Sequence, residues 1–130
     1  MTQMRTSYPA IRPYVTADGS EIRELMHPDH HGNQRQSLAE ATVRPGQQTR
    51  LHKHLRTEEL YHITTGCALM TLAEERFRVS AGDTVCIPPG TPHCISNVGS
   101  EPLRILCCCS PAYSDGDTVL LNGDAGSGVA

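Results

Sequence analysis

The chain has 130 residues, a formal net charge of -3 and a sequence pI of about 6.1. That length suits one domain able to bury a core of its own. Charges of both signs are interspersed with no basic stripe, which excludes a nucleic-acid footprint and a surface made for acidic membranes. The opening MTQMRTSYPAI lacks the apolar stretch of a signal peptide, and no apolar run is long enough to span a bilayer, so the expected location is the cytoplasm.

Residues 1–15, with Pro9 and Pro13, read as an extended arm, followed by a Thr-Ala-Asp-Gly turn signal at residues 16–19. Residues 21–26 fit either a short strand or one turn of helix, and 28–33 (PDHHGN) read as loop. From residue 36, QSLAEATV alternates as a strand and stops at Pro45-Gly46. Strands are then predicted around His52–His54, over 59–64 and over 67–72. A polar hairpin at 73–76 leads to a returning strand at 77–79. Further strands are predicted at 84–87, 93–97 and 103–109, the last being the most apolar. Residues 119–121 are expected to dock on the domain, and the Gly-rich 122–130 to be a disordered tail. Short strands, turns every eight to ten or so residues and no long helical period predict an all-β fold, a sandwich or barrel. The division is an arm and loop over 1–35 adding strands to the barrel, the barrel over 36–121, and the tail.

Six cysteines in a small chain raise the question of disulfides. Cys107, Cys108 and Cys109 are consecutive, so neighbours point to opposite faces of a strand, and Cys67, Cys86 and Cys94 stand singly in apolar segments. Reduced, buried, small side chains are the expectation for most of them, and no CxxC spacing offers a zinc knuckle.

The chemistry concentrates between Gly46 and Gly66. His52 and His54 are one residue apart, so on an extended strand both imidazoles face the same way, with Glu59 close behind. A second stretch, Gly82 to Asn97, brings His93. Two such stretches folded over each other would hold one divalent transition metal.

These residues are also a motif match. Gly46, His52, His54, Glu59 and Gly66 fit the first cupin motif place by place, and Gly82, Pro88, Gly90, His93 and Asn97 fit the second, with fifteen residues between the two. The chain therefore resembles the small single-domain cupins over roughly residues 37–109. The resemblance implies a double-stranded β-helix of the jelly-roll type and a metal held by His52, His54, Glu59 and His93. Glu58, the neighbouring alternative, falls on the opposite face of the strand. Three neutral imidazoles and one carboxylate on a divalent ion leave a net charge of +1, and a six-coordinate ion would keep two positions open, the arrangement of a catalytic site. This donor set suits Fe, Mn, Co, Ni, Cu or Zn, with iron or manganese favoured.

Several further residues are candidates. Tyr61 shares the parity of Glu59 and is either an orienting group for a substrate or a packed aromatic. His62 has the opposite parity and belongs outside. His27, His30 and His31 read as solvated loop histidines, one of which could act as a general base if the loop overhangs the barrel mouth. Cys107 and Cys109 share a face, and a catalytic thiol there would need an electropositive setting. The expected function is a metal-dependent cupin acting on a small organic molecule, foremost a non-haem dioxygenase. The alternatives are an O₂-independent isomerase, epimerase or lyase, and a non-catalytic binding module. No nucleic acid or membrane partner is expected. A homodimer is, with the arm adding to a partner's sheet.

Overall fold

A computed structural model describes residues 4–121. The expected tail at 122–130 lies outside the described residues. Eleven strands run in chain order: β1 (Tyr14–Val15), β2 (Glu21–Met26), β3 (Ser37–Val43), β4 (His52–His54), β5 (Glu58–Thr65), β6 (Cys67–Leu72), β7 (Glu75–Ser80), β8 (Thr84–Ile87), β9 (His93–Asn97), β10 (Leu103–Ser110) and β11 (Thr118–Leu120). They form two antiparallel sheets facing each other, ordered β1-β2-β3-β10-β5-β8 and β11-β4-β9-β6-β7. Most sheet neighbours outside β1-β2-β3 and β6-β7 are distant in sequence, as in a jelly roll, so the fold is the all-β double-stranded helix expected. Residues 21–26 are a strand, paired with β3 from Glu21↔Thr42 to Met26↔Leu38. The arm's β1 pairs with β2 of the same chain, at one edge of the larger sheet. Residues 118–120 form β11, which pairs with β4. The polar hairpin is tighter than predicted, because Thr71↔Arg76 and Leu72↔Glu75 pair and leave only Ala73 and Glu74 in the turn.

Alternation decides which side chains enter the barrel. In β5, Glu59, Tyr61 and Ile63 are buried and Glu58 and Leu60 are exposed. In β10, Leu103, Ile105, Cys107 and Cys109 point inward. The registers then stack these residues in layers. Leu103 faces Val43; Ile105 faces Ala41 and Ile63; Cys107 faces Ala39 and Tyr61; Cys109 faces Ser37 and Glu59. The inner face thus grades from large aliphatic side chains at one end to small and polar ones at the other. Ile63, Met70, Ile95, Leu103 and Ile105, all fully buried, close the apolar end. Ala, Ser and Cys leave space at the other end, and there the cavity forms.

Gly66, in the turn between β5 and β6, has φ +93, and a Cβ there would lie 3.1 Å from the Pro102 carbonyl oxygen and 3.2 Å from Leu103 Cα. Both obstacles are backbone, so relief requires moving β10. Gly66→Ala is expected to destabilise by about 1–3 kcal/mol, read as a lower thermal midpoint at unchanged secondary structure by circular dichroism.

No disulfide joins any of the six cysteines. Cys94, Cys107 and Cys109 are buried as expected, whereas Cys86 is exposed, because β8 turns Val85 and Ile87 inward and Cys86 between them outward.

Candidate metal centre

The smaller sheet supplies three imidazoles at the polar end. β4 is three residues long; His52 and His54 are buried on its inner face, and His52 is paired with His93 of β9. The ring centroids are 5.2 Å apart for His52 and His54, 4.2 Å for His52 and His93, and 5.4 Å for His54 and His93. One ring nitrogen of each lies within 4.8 Å of the other two.

The outer nitrogen of each ring is already committed. His52 Nδ1 donates to the Arg50 carbonyl at 2.7 Å, and His93 Nδ1 to the Thr91 carbonyl at 2.9 Å. A carbonyl can only accept, so each Nδ1 carries the proton and each Nε2 is left as a lone pair. His54 Nδ1 lies 3.0 Å from the Thr118 hydroxyl, whose own proton goes to the Ser114 carbonyl at 2.9 Å. That hydroxyl must therefore accept from His54, with the same result for its Nε2. Such outer partners fix tautomer and ring orientation in metal centres. Thr118→Val is accordingly expected to weaken metal affinity about 10–100-fold, measured by competition with a chromogenic chelator.

From the larger sheet, Glu59 places Oε1 3.2 Å from His54 Nε2 and 3.6 Å from His93 Nε2. Its Oε2 accepts from the Cys109 thiol at 3.4 Å, which fixes the carboxylate's roll. Glu58 is exposed, as its parity requires. Burial works to raise the Glu59 carboxyl; protons on His54 and His93 Nε2, donated to it, would outweigh burial and hold the group down at about 2. Burial and the neighbouring His93 lower His52 to about 4. Glu59 Oε1 and His93 Nε2 are buried with no hydrogen-bond partner. Buried polar atoms are nearly always satisfied, and one cation between these two lone pairs would satisfy both. The residues present fit a divalent metal.

The remaining candidates separate cleanly. Tyr61 is buried in the cavity wall with its ring 6.0 Å from that of His93, and burial pushes its hydroxyl pKa well up, so it carries its proton. Asn97 donates to the Val43 and Glu101 carbonyls and accepts from Gly99 N–H, so it holds a turn. His62 faces outward onto the Thr84 hydroxyl at 2.8 Å. The loop histidines are not all solvated. His27 is buried; its Nε2 donates to the Tyr113 carbonyl at 2.7 Å and its Nδ1 accepts from Asp29 N–H at 3.0 Å. With both nitrogens engaged it clasps two segments together and has no lone pair free for a substrate proton. Burial first, and Glu59 next, raise the Cys107 and Cys109 thiols, the reverse of what a nucleophilic thiol needs.

Three residues escape the sequence reading. Asp18 anchors Oδ1 with the Thr16 hydroxyl, the Ser20 hydroxyl and Ser20 N–H at 2.6–2.9 Å, and points Oδ2 at His52 Nε2, 3.7 Å away. Its signal was the Thr-Ala-Asp-Gly turn, legible as a turn but not as a neighbour of β4. Glu24 shares the parity of Ile22 and so faces inward, visible only once 21–26 is known to be a strand. Tyr113, its ring 5.8 Å from that of His54, comes from a segment with no periodic pattern.

The site faces a partly open cavity of about 40 Å³, and a wide outer basin of about 690 Å³ adjoins it. The two share Tyr14, Thr16, Glu24, Tyr113 and Thr118, which form the neck.

A small jelly roll with convergent imidazoles on one sheet and a carboxylate on the other defines a β-barrel whose histidines could hold a metal ion. The chain belongs to the cupin family: the family model for the cupin domain matches residues 39–109. It is 54% identical over 121 residues to an uncharacterised protein of Methanocaldococcus jannaschii, covering 93% of this chain and 97% of that one. Among solved structures it superposes on a predicted oxalate decarboxylase of Thermotoga maritima with a TM-score of 0.73 at 24% identity, covering 83% of this chain and 99% of that one. The oxalate decarboxylase of Bacillus subtilis gives a TM-score of 0.78 at 22% identity over 93% of this chain and 32% of that one. These likenesses show the fold.

Proposed function

We propose that the protein is a metal-dependent enzyme acting on a small organic molecule at coordination positions left open by His52, His54, Glu59 and His93. The observation that carries this reading is the convergence of three imidazoles, each with its Nδ1 committed, with the unpartnered Glu59 Oε1 beside the Nε2 atoms of His54 and His93. A divalent metal there, iron or manganese by preference, would supply Lewis acidity or relay O₂ to the substrate. The chain would do the rest: the apolar wall excludes water, the neck admits the ligand, and the protonated Tyr61 hydroxyl orients an oxygen of it. Non-haem dioxygenase chemistry is the first reaction class.

A second class, O₂-independent isomerisation or elimination, is favoured by a specific feature. Asp18 and Glu24 put two further carboxylates on the cavity wall, each able to take or return a substrate proton. An oxygen electrode separates the two: Fe(II)-loaded protein consumes O₂ stoichiometrically with turnover of a hydroxy- or oxo-substrate if the first class holds. Turnover undiminished under strict anaerobiosis removes it in favour of the second. Ligand binding with no turnover in either atmosphere would leave a binding module.

A further inference from the structure

Glu24 is an acidic residue at a position where a barrel strand ordinarily places an aliphatic one. It stands two residues beyond Ile22 on the inner face of β2, paired with Ala39. It is 8% exposed. One oxygen, Oε2, accepts from the Tyr14 hydroxyl at 2.9 Å; the other, Oε1, is buried and has no partner. Both Glu24 and Tyr14 line the inner cavity and the outer basin alike, so the pair sits between the two. A buried acceptor costs free energy unless something donates to it, and the Ala39 and Ala41 side chains on the adjoining strand cannot donate. The charge around it points the same way. Asp18, Glu24 and Glu59 line the cavity, and among the described residues no Lys or Arg lines either the cavity or the basin. Three carboxyl groups and no basic side chain leave nothing on these walls to pair with a second anion, whereas the two motifs alone implied a net positive centre.

We infer that Glu24, braced by Tyr14, is a ligand-selecting subsite at the neck. It takes a hydroxyl or ammonium hydrogen of a neutral or cationic small molecule and turns away dianions such as dicarboxylates and phosphate esters. This rests on the metal-site reading above for what holds the ligand's other end. The selection follows from hydrogen bonding and charge. A donor satisfies Oε1, while a second anion meets Glu24 and Asp18 with no counter-charge. The inner cavity, with room for roughly three water molecules at about 10–15 Å³ each, limits the buried part of the ligand to a few heavy atoms, with any larger remainder in the basin.

The test uses the full chain loaded with Mn(II) and three probes: dihydroxyacetone, ethanolamine and oxalate. Binding is followed by calorimetry and by paramagnetic broadening of the probe's proton or carbon signals. Wild-type protein is expected to bind the first two more tightly than oxalate. Glu24→Gln is expected to weaken them about tenfold, to relieve the rejection of oxalate, and to leave metal content unchanged. Tyr14→Phe, a change at a half-exposed ring, is expected to move the probes in the same order by a smaller factor. Oxalate binding as tightly as the neutral probes in wild type, equal shifts for all three in Glu24→Gln, or no binding of any probe would each overturn the subsite. Failure to load manganese would count against the metal reading alone, since the probe ranking is also measured on the metal-free chain.

Discussion

His93→Ala protein is expected to leave purification with essentially no bound transition metal, and the parent with one ion per chain. His93 is 0% exposed and its ring is the nearest to that of His52. Its Nε2 is buried without a hydrogen-bond partner, as is the facing Glu59 Oε1, and its Nδ1 is tied to the Thr91 carbonyl. Removing it deletes the donor from β9 and leaves His52, His54 and Glu59 around a hole the size of an imidazole. Elemental analysis of both proteins is the direct check, and full metal content in the variant would refute the assignment. A linked readout is thermal stability. A ligand that binds only the folded chain adds about 2.7 kcal/mol at a hundred times its Kd and about 4.1 at a thousand times. For a chain of this size that raises the midpoint by on the order of 10 °C. The parent should show this rise on adding metal after chelation, and His93→Ala should not. The pairing of the two measurements matters, because the alanine also leaves a cavity that lowers stability by itself.

In the chelated, metal-free protein, stability is expected to fall steeply as pH drops from about 6.5 to 4. The folded-state pKa of His52 lies at about 4 against an ordinary value of 6.5. The unfolded chain therefore takes up a proton in that window that the folded chain refuses, so acid favours unfolding. The gap corresponds to on the order of 3 kcal/mol, complete once pH is below the folded value. Metal loading shares the direction, since protons compete for the same lone pairs. Thermal midpoints of chelated protein between pH 7 and 4 are the check; a flat profile across that range would show that His52 does not resist protonation as its burial demands.

Much of this was written in local pattern. Period-two alternation gave β5, β8, β9 and β10 nearly to the residue, because a strand's parity is a property of its own sequence. The same parity placed Glu59 inside and Glu58 outside before any coordinates. The motif spacing brought the His52–His54 pair and His93 together correctly, since short turns between strands leave little freedom in how they return. Where the reading went astray, the deciding partner was far away in the chain. The loop around His27 suggests a solvated residue because nothing near it in sequence shows the Tyr113 carbonyl that fills its Nε2. Cys86 shows the converse: an apolar neighbourhood suggested burial that the parity of its strand denies.

What the sequence by itself determined is the all-β character, the family, and the convergence of three imidazoles, each a consequence of residue type at short spacing. Tertiary structure decided what surrounds them. Asp18 reaches His52 only because β1 and β2 close over one edge of the larger sheet. Thr118 orients His54 only because β11 returns to β4. Glu24 enters the cavity only because β2 pairs with β3 in a register that turns its carboxylate inward. These contacts join residues whose separation along the chain carries no period, so no local pattern announces them. They change the cavity from the positive centre implied by the motifs to one lined by three carboxylates.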